Sequence, residues 1–354
     1  MQKIKKVNKS ASPVCIGSGY FALDVVFNDV LGDSPNYWAG GSCGNVLTIL
    51  AYWGWEVFPI SRLGNDLASK YILKDIKSWG VKTKYIFNED EVDTPIVIER
   101  IKKLKTGKLN HKFEWVCPFC GSKLPHYRPL QQKDTSLIVD TLPKSDVFYF
   151  DRISKSTLDI ATHLKEKGSI IFFEPSSLKK SELFEKCISI SDIVKYSDER
   201  IENIPADRNY HIPLEIQTLG EKGIRFRQSS VKSGMNKWTT LDSYKIDSFV
   251  DSTGAGDWCT AGIICKLGRL GIYELKKASK TQIKQALNYG QALAALNCNF
   301  EGARGLMYSN LSRAEIEKII QKIVNKEGIT KNFENHNNEN PRLSKKVICK
   351  NCIR

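Results

Sequence analysis

Phe249-Val-Asp251-Ser-Thr253-Gly254-Ala255-Gly256-Asp257 runs directly into Trp258 to Leu267, an apolar stretch at helical spacing. That order predicts the end of a strand, a Gly-Ala-Gly turn and the start of a helix. Such a turn lets backbone N–H groups converge, and the helix adds its own unpaired amides and positive dipole end. Together they make an anion site suited to a transferring phosphoryl group. Asp257 falls within the turn, where a carboxylate can take a proton from an attacking hydroxyl. A glycine-rich turn before a helix is weak by itself; the whole D-S-T-G-A-G-D string with its helix is specific.

Outward from this stretch, strand and helix signals alternate. Val14 to Ile16, Val57 to Ile60, Asp146 to Phe150 and Ile170 to Phe173 are short apolar runs, and Ile193-Val194 and Glu215 to Thr218 are two more. Between them Gly44 to Tyr52, Leu67 to Trp79 and Thr157 to Lys167 carry helical periodicity. Strands separated by helices of this length predict parallel β-α units with helices covering a central sheet, an α/β fold. One segment departs from the pattern. Ile96 to Lys105 alternates partly at period two, Thr106-Gly107 turns the chain, and Lys112 to Val116 returns it. That is a hairpin whose half-polar face projects beyond the main sheet.

The chain has 354 residues, 41% of them hydrophobic and 26% charged, enough to bury a full core and incompatible with global disorder. No window approaches the roughly 18 apolar residues of a membrane span, and Met1 to Pro13 is basic without the apolar core of a signal peptide. Lys plus Arg outnumber Asp plus Glu by 53 to 39, a net charge of +14 that suits anionic partners without choosing among nucleotides, phosphosugars and nucleic acid. Many of these lysines, such as Lys70, Lys74 and Lys77, are spaced as on solvated helix faces. Of ten cysteines, four form two C-x-x-C pairs, which points to metal binding in a reducing cytoplasm rather than to disulfides.

The glycine-rich string resembles the C-terminal signature, close to D-T-x-G-A-G-D, of the PfkB (ribokinase-like) family of carbohydrate and nucleoside kinases. Other blocks follow in family order over about residues 14 to 310. Trp38-Ala-Gly40-Gly41-Ser-Cys-Gly44-Asn45 is similar to the G-G-x-x-x-N start of a helix. Ile60-Ser-Arg-Leu-Gly64-Asn-Asp66 with Trp79-Gly80-Val81 looks like the G-x-x-G-x-D block and its closing G-V, and Thr218-Leu-Gly220-Glu-Lys-Gly223 like the T-x-G-x-x-G nucleotide loop. Gly290-Gln291 and Gly302-Ala303 fall where the family lines its adenine and cation sites.

The resemblance implies a three-layer α/β/α domain with a β lid, in which sugar and ATP meet at the carboxyl ends of the strands. By carry-over Asp257 is the base, and the amides of Gly254, Ala255 and Gly256 stabilise phosphoryl charge. Asp24, Gly40, Gly41 and Asn45 would hold the acceptor, Thr218, Gly220, Gly223 and Gln291 the nucleotide, and Asp251 and Thr253 a potassium ion, with Mg²⁺ accompanying ATP. Two blocks depart from the family. Its D-P-N is Glu174-Pro175-Ser176 here, and its N-x-x-E, tied to Mg²⁺ and phosphate, is Ser197-Asp198-Glu199-Arg200. Gly17-Ser-Gly19-Tyr-Phe-Ala22 also fits a dinucleotide fingerprint, but Asp24 to Phe27 continues as a strand where that motif needs a helix. A P-loop is absent from the sequence.

Cys117-Pro-Phe-Cys120-Gly121 is half of a zinc ribbon, and Cys349-Lys-Asn-Cys352 is its match near the C-terminus. A structural zinc needs four ligands, so the four thiols are candidate metal ligands, with His126 a spare and two unrelated thiol pairs the alternative. Asn351 occupies the position where a C-a-a-X lipid signal needs cysteine. Cys15, Cys43, Cys187, Cys259, Cys265 and Cys298 read as core residues, with Cys43 the one beside the acceptor block.

The expectation is a kinase domain over 14–325, with a lid hairpin at about 94–116 and a cysteine-rich insert at about 117–130. Residues 326–354 form a linker and a C-x-x-C tail. The function expected is ATP-dependent phosphorylation of a sugar-like hydroxyl, with the lid as the place where two copies would pair. A nucleoside kinase, with Trp38, Tyr20 and Phe21 stacking on a base, is the nearest alternative. A catalytically weakened scaffold that binds nucleic acid or protein is the other.

Overall fold

The computed structural model describes residues 12–28, 35–103, 109–178, 181–204, 211–230, 234–235, 237–245, 248–327 and 345–353. The Thr106-Gly107 turn and the Asn332 to Asn340 linker lie outside the described residues.

The strands are β1 (Val14–Ser18), β2 (Ala22–Asn28), β3 (Asn36–Gly40), β4 (Glu56–Gly64), β5 (Tyr85–Glu89), β6 (Ile96–Lys103) and β7 (Leu109–Glu114). They continue with β8 (Val147–Phe150), β9 (Ile170–Phe173), β10 (Ile193–Ser197), β11 (Leu214–Thr218), β12 (Ile224–Ser230), β13 (Gly234–Met235) and β14 (Thr239–Leu241). The helices are α1 (Ser42–Tyr52), α2 (Leu67–Ser78), α3 (Gln132–Ile138), α4 (Lys155–Glu166), α5 (Glu182–Ile190), α6 (Ala255–Leu267), α7 (Gly271–Lys276), α8 (Lys280–Asn297), α9 (Arg313–Val324) and α10 (Lys345–Ile348).

The main sheet runs β13-β12-β11-β10-β9-β8-β1-β4-β5, with β14 beside β12. From β11 to β5 every pair is parallel; β12 turns antiparallel against β11. Its central strands are apolar on both faces because both are covered. Val147 and Tyr149 of β8 belong to one core with residues of α1, α6, α8 and α9, whereas Phe148 and Phe150 belong to a second with residues of α3, α4 and α5. Alternation on a strand thus divides side chains between two layers of helices. The fold is a three-layer α/β/α sandwich.

A second sheet, β3-β2-β6-β7, forms the lid. The hairpin seen in the sequence is half of it: β6 and β7 pair antiparallel, and β6 lies parallel to β2, which pairs with β3. Register aligns the site. Ser18 of β1 pairs with Phe150, and Phe150 with Phe173, so the next residues, Gly19, Asp151 and Glu174, leave the sheet side by side at its carboxyl edge.

Phe249 to Asp251 is no strand of either sheet. The amides of Val250 and Asp251 donate instead to the Cys298 carbonyl at the end of α8 (2.8 and 3.2 Å), and Phe249 is exposed. The α6 helix also starts earlier than the sequence suggests, at Ala255. It crosses α8 at Gly262 and Gly290: a Cβ on Gly262 would stand 2.7 Å from the Gly290 Cα, and one on Gly290 would stand 2.6 Å from the Cys259 carbonyl oxygen. Gly290→Ala should therefore force the two helices apart. A loss of about 1–3 kcal/mol is expected from overpacking of this kind, read by chemical denaturation; unchanged stability would contradict the close crossing.

Candidate active site

Gly254 is the N-cap of α6 in the left-handed region (φ 75), and a Cβ there would collide with the Ala303 carbonyl. Both torsion and space call for glycine. The loop is tied from behind. Asp251, fully buried, accepts from the amides of Thr253 (2.7 Å) and Gly302 (2.8 Å), and the Trp258 indole donates to the Ala303 carbonyl (3.0 Å). Asn297 of α8 donates to the Thr253 carbonyl (3.3 Å) and accepts from the Leu306 amide (3.1 Å). Asp251 and Thr253, the residues expected around a monovalent cation, thus serve as loop ties here. Of the three amides expected to face a phosphoryl group, that of Ala255 already donates to the Ser252 carbonyl (3.1 Å).

Asp257 sits in the first turn of α6, and Asn45 of α1 donates to its Oδ2 at 2.8 Å across the site. Burial pushes the Asp257 carboxyl up to about 7, Glu174 adding to the rise while Asn45, Lys195 and Arg200 oppose it. Asp24 on β2 is driven up to about 8, first by burial, then by the carboxylates of Glu99 and Asp257, against the pull of Arg304 and the Gly41 amide. Gly40 on β3 stands so close to it that a Cβ would overlap the Asp24 carboxyl. Gly41 (φ 80) caps α1, and the Tyr20 carbonyl fills the space its Cβ would need. Asp24, Gly40, Gly41, Asn45 and Asp257 are therefore one neighbourhood, made by the lid and the starts of α1 and α6.

Four further charged residues belong here that the sequence reading did not single out. Glu99 on lid strand β6 is buried and accepts from the Thr253 hydroxyl at 2.6 Å, joining lid to loop. Lys195 on β10 is buried with its ammonium 2.5 Å from Glu174 Oε1 and 3.4 Å from the Gly256 carbonyl. Burial alone would depress that ammonium, but Glu174 and the other anionic neighbours outweigh it and hold its pKa above the ordinary lysine value. Arg304, next to Gly302-Ala303, donates to the Ala39 carbonyl (2.6 Å) and Asp75 (2.5 Å). Asp151 at the end of β8 accepts from the Tyr20 amide (2.9 Å) and from Arg152 (3.1 Å). A charged residue inside an apolar strand, as in IVKYS or IVIERI, was the available signal.

Glu174, where the family has Asp, holds three donors: Lys195, the Thr260 hydroxyl (2.7 Å) and the Tyr149 hydroxyl (3.1 Å). The residues expected around the nucleotide are less tightly gathered. Thr218 ends β11 beside Ser197, and Gly220 (φ 56) and Gly223 (φ 96) turn the chain into β12. Gln291 lies in α8 with its side-chain nitrogen buried and without a hydrogen-bond partner among the described residues. Apart from this site, Cys117, Cys120, Cys349 and Cys352 meet, every sulfur within 4.8 Å of the others. Cys43 is buried in the core.

Residues 11–105 match the family described as pfkB family carbohydrate kinase. The matched stretch runs from β1 through lid strand β6. Among related proteins, this chain is 23% identical over 302 residues to a probable fructokinase-4 of Arabidopsis thaliana, covering 77% of this chain and 86% of that one. It is 24% identical over 329 residues to a ribokinase of Bacillus subtilis, covering 82% and 90%. In structure it is similar to a fructokinase with bound ATP from Xylella fastidiosa (TM-score 0.65, 16% identity, 87% of this chain and 98% of that one). It is also similar to an aminoimidazole riboside kinase from Salmonella enterica in complex with aminoimidazole riboside and an ATP analogue (TM-score 0.61, 18% identity, 87% and 99%). Among the described residues no helix is long and apolar enough to cross a membrane.

The glycine-rich turn contains two glycines with different reasons to be there. Gly254 has no room and the wrong torsion for a side chain, whereas a Cβ on Gly256 meets nothing within 4 Å. Gly254→Ala should destabilise the fold by about 1–3 kcal/mol, and Gly256→Ala should be neutral or stabilising by up to about 1 kcal/mol. Denaturation of the two variants side by side checks this; equal losses would contradict it.

Proposed function

We propose that the protein is an ATP-dependent phosphotransferase acting on a hydroxyl of a sugar or sugar-like molecule, with Asp257 as the base. The observation that carries the reading is the Asn45–Asp257 contact at the free end of α6, with the Asp257 carboxyl brought close to neutrality beside Asp24 on the lid. A base works best when its pKa lies near the working pH. Asn45 fixes which Asp257 oxygen is free to face the acceptor. With its pKa raised to about 8, Asp24 is mostly protonated at neutral pH, so it can donate to one acceptor hydroxyl as well as accept from another. The amides of Gly254 and Gly256, together with the helix end, would meet the charge that develops on the transferring group.

Thr218, Gly220, Gly223 and Gln291 are proposed to hold the nucleotide at the same sheet edge. ATP would bring Mg²⁺ with it; Glu174 is taken up by Lys195, Thr260 and Tyr149, which leaves Asp198 and Glu199, just after β10, as the carboxylates that would meet the ion. Asp251 and Thr253 contribute to the reaction by holding the turn.

Sugar is favoured over nucleoside because two of the three aromatics that would grip a base are already engaged, leaving Trp38, opposite Asp24 in the lid, alone to stack. Phe21 is buried beneath α1, and Tyr20 is covered by Arg152 (4.7 Å to the ring) and meets Tyr127 edge-on. The scaffold reading is disfavoured by the intact arrangement around Asp257.

ADP formation across a panel of pentoses, hexoses and nucleosides tests the proposal. Asp257→Asn should lower turnover by about 10²–10⁴-fold with the fold intact, and wild-type turnover in that variant would sink the assignment. The sign of the pH dependence follows from Asp257. A carboxyl raised to about 7 must ionise to accept a proton, so the rate should fall as pH drops through about 7. Glu174→Gln removes an anion that raises this value and leaves Lys195 to lower it, so the acidic limb should move to lower pH; a limb that stays put would show that another group controls it.

A further inference from the structure

The four clustered cysteines come from opposite parts of the chain. Cys117 and Cys120 follow lid strand β7, and Cys349 and Cys352 flank the short turn after α10. Their closest cross-pairs are Cys117–Cys352 at 3.5 Å and Cys120–Cys349 at 3.7 Å. A tetrahedral zinc with Zn–S bonds of about 2.3 Å requires sulfurs about 3.8 Å apart. A disulfide needs about 2.05 Å, and all four are free thiols. The backbone is also arranged as a ligand loop. The Gly121 amide donates to the Cys117 carbonyl (2.9 Å), Gly121 takes a positive φ of 73, and the Cys117 amide donates to the Ser122 carbonyl (2.7 Å). Among the described residues no fifth Cys, His, Asp or Glu joins the set. Four soft ligands at tetrahedral spacing suit a structural rather than a catalytic ion.

We infer that Cys117, Cys120, Cys349 and Cys352 bind one Zn²⁺, and that this ion fastens the C-terminal segment to the hinge of the lid. The hinge is where the contacts around the cluster converge. At the exit from β7, Val116 bridges Lys123 and the Leu124 amide donates to the Trp115 carbonyl (3.0 Å). The same turn touches the start of β6 through the Ile96 amide and the Pro125 carbonyl (3.4 Å). Phe119, between the first two thiols, meets Phe27 of lid strand β2 edge-on at 6.3 Å. From the other side, Lys350 pairs with Asp93 just before β6, and Asn351 donates to Ser122 (3.2 Å). Val347, Ile348 and Cys349 are buried in the main core, and α10 packs on α2. The ion thus links both ends of the β6–β7 hairpin to a segment anchored in the α/β body.

Each thiol that ligates as thiolate releases its proton on binding, and the binding free energy contributes to local folding. Loss of the ion should loosen the hairpin and the tail while sparing α6 and α8, which are packed on each other in the α/β body.

The test uses the full chain. Metal analysis of protein purified without chelator should give about one zinc per chain, and Co²⁺ in its place should give the absorption of a tetrahedral thiolate site. The double variant Cys120→Ser/Cys352→Ser, which spares the two buried thiols, should hold less than about a tenth of an equivalent. Its β6 and β7 amides should exchange hydrogen at least about tenfold faster than in the wild type, with α6 and α8 unchanged. Wild-type protein without zinc and without the cobalt signature, a disulfide found between the pairs, or full zinc in the double variant would each overturn the site. Unchanged lid exchange after zinc loss would overturn the fastening. Neither readout depends on turnover, so the zinc site can fail while the kinase activity holds, and the reverse.

Discussion

The arrangement around Asp257 rests on one electrostatic constraint: several carboxylates share a buried space, and burial penalises every ionised one. Asp24 and Asp257 are both pushed toward neutrality, Asp24 further by Glu99 and Asp257, and Asp257 further by Glu174. Lys195, Arg304 and Arg152 are the cations set against them, two of them almost wholly buried themselves. The two buried cations are each held by more than one element. Arg304 bridges lid strand β3 and α2, and Lys195 reaches from β10 to the residue after β9 and to the first turn of α6. Removing one partner of such a pair would leave an uncompensated charge, typically a cost of about 3–5 kcal/mol. The site and the stability of the fold are therefore linked through the same side chains.

That linkage explains how an altered motif is tolerated. Glu174 is one methylene longer than the Asp of the family pattern, and its extra reach is used to meet Lys195, Thr260 and Tyr149 together. The consequence for Asp257 is a tuning of opposite signs. Glu174 makes ionisation harder and Lys195 makes it easier, so the pair shifts Asp257 less than either would alone. In this chain the D-P-N position thus acts on Asp257 through charge and leaves no carboxylate oxygen free of protein donors.

Most of the α/β body was legible because its signals are local. Ile170 to Phe173 is buried on both faces and reads as a continuous apolar run, and α1 and α2 carry their periodicity within a dozen residues. The glycine-rich turn was legible for the same reason. What was not legible depends on distance in sequence. Phe249 to Asp251 has the apolar look of a strand, but its amides are claimed by Cys298, 47 positions further along for the contact from Asp251. Glu99 reads as one polar position in a half-polar hairpin, and only the closing of the lid on Thr253, 154 residues away, gives it a role. Glu174 stood out as a departure of type but Lys195 was passed over, and the two could not be paired before β9 and β10 were seen to be neighbours.

The lid ties Asp24 and Glu99 to the neighbourhood of Asp257. Its strands β2, β3 and β6 carry Asp24, Gly40 and Glu99 toward Asp257, so the position of the lid sets the field that Asp257 feels as well as the shape of the space beside it. Glu99 would lose the Thr253 hydroxyl and its contribution to Asp24 if the lid lifted, and both Asp24 and Asp257 would gain water. Opening would thus lower the two carboxyls toward ordinary values, and closing would raise them into the neutral range. In the proposed reaction, a base tuned only when the lid is shut would couple acceptor enclosure to proton transfer without any further moving part. Such coupling places a premium on a defined hinge, and the hinge of β6 and β7 is the part of the lid that the four cysteines, Lys350 and Asn351 hold to the body of the protein.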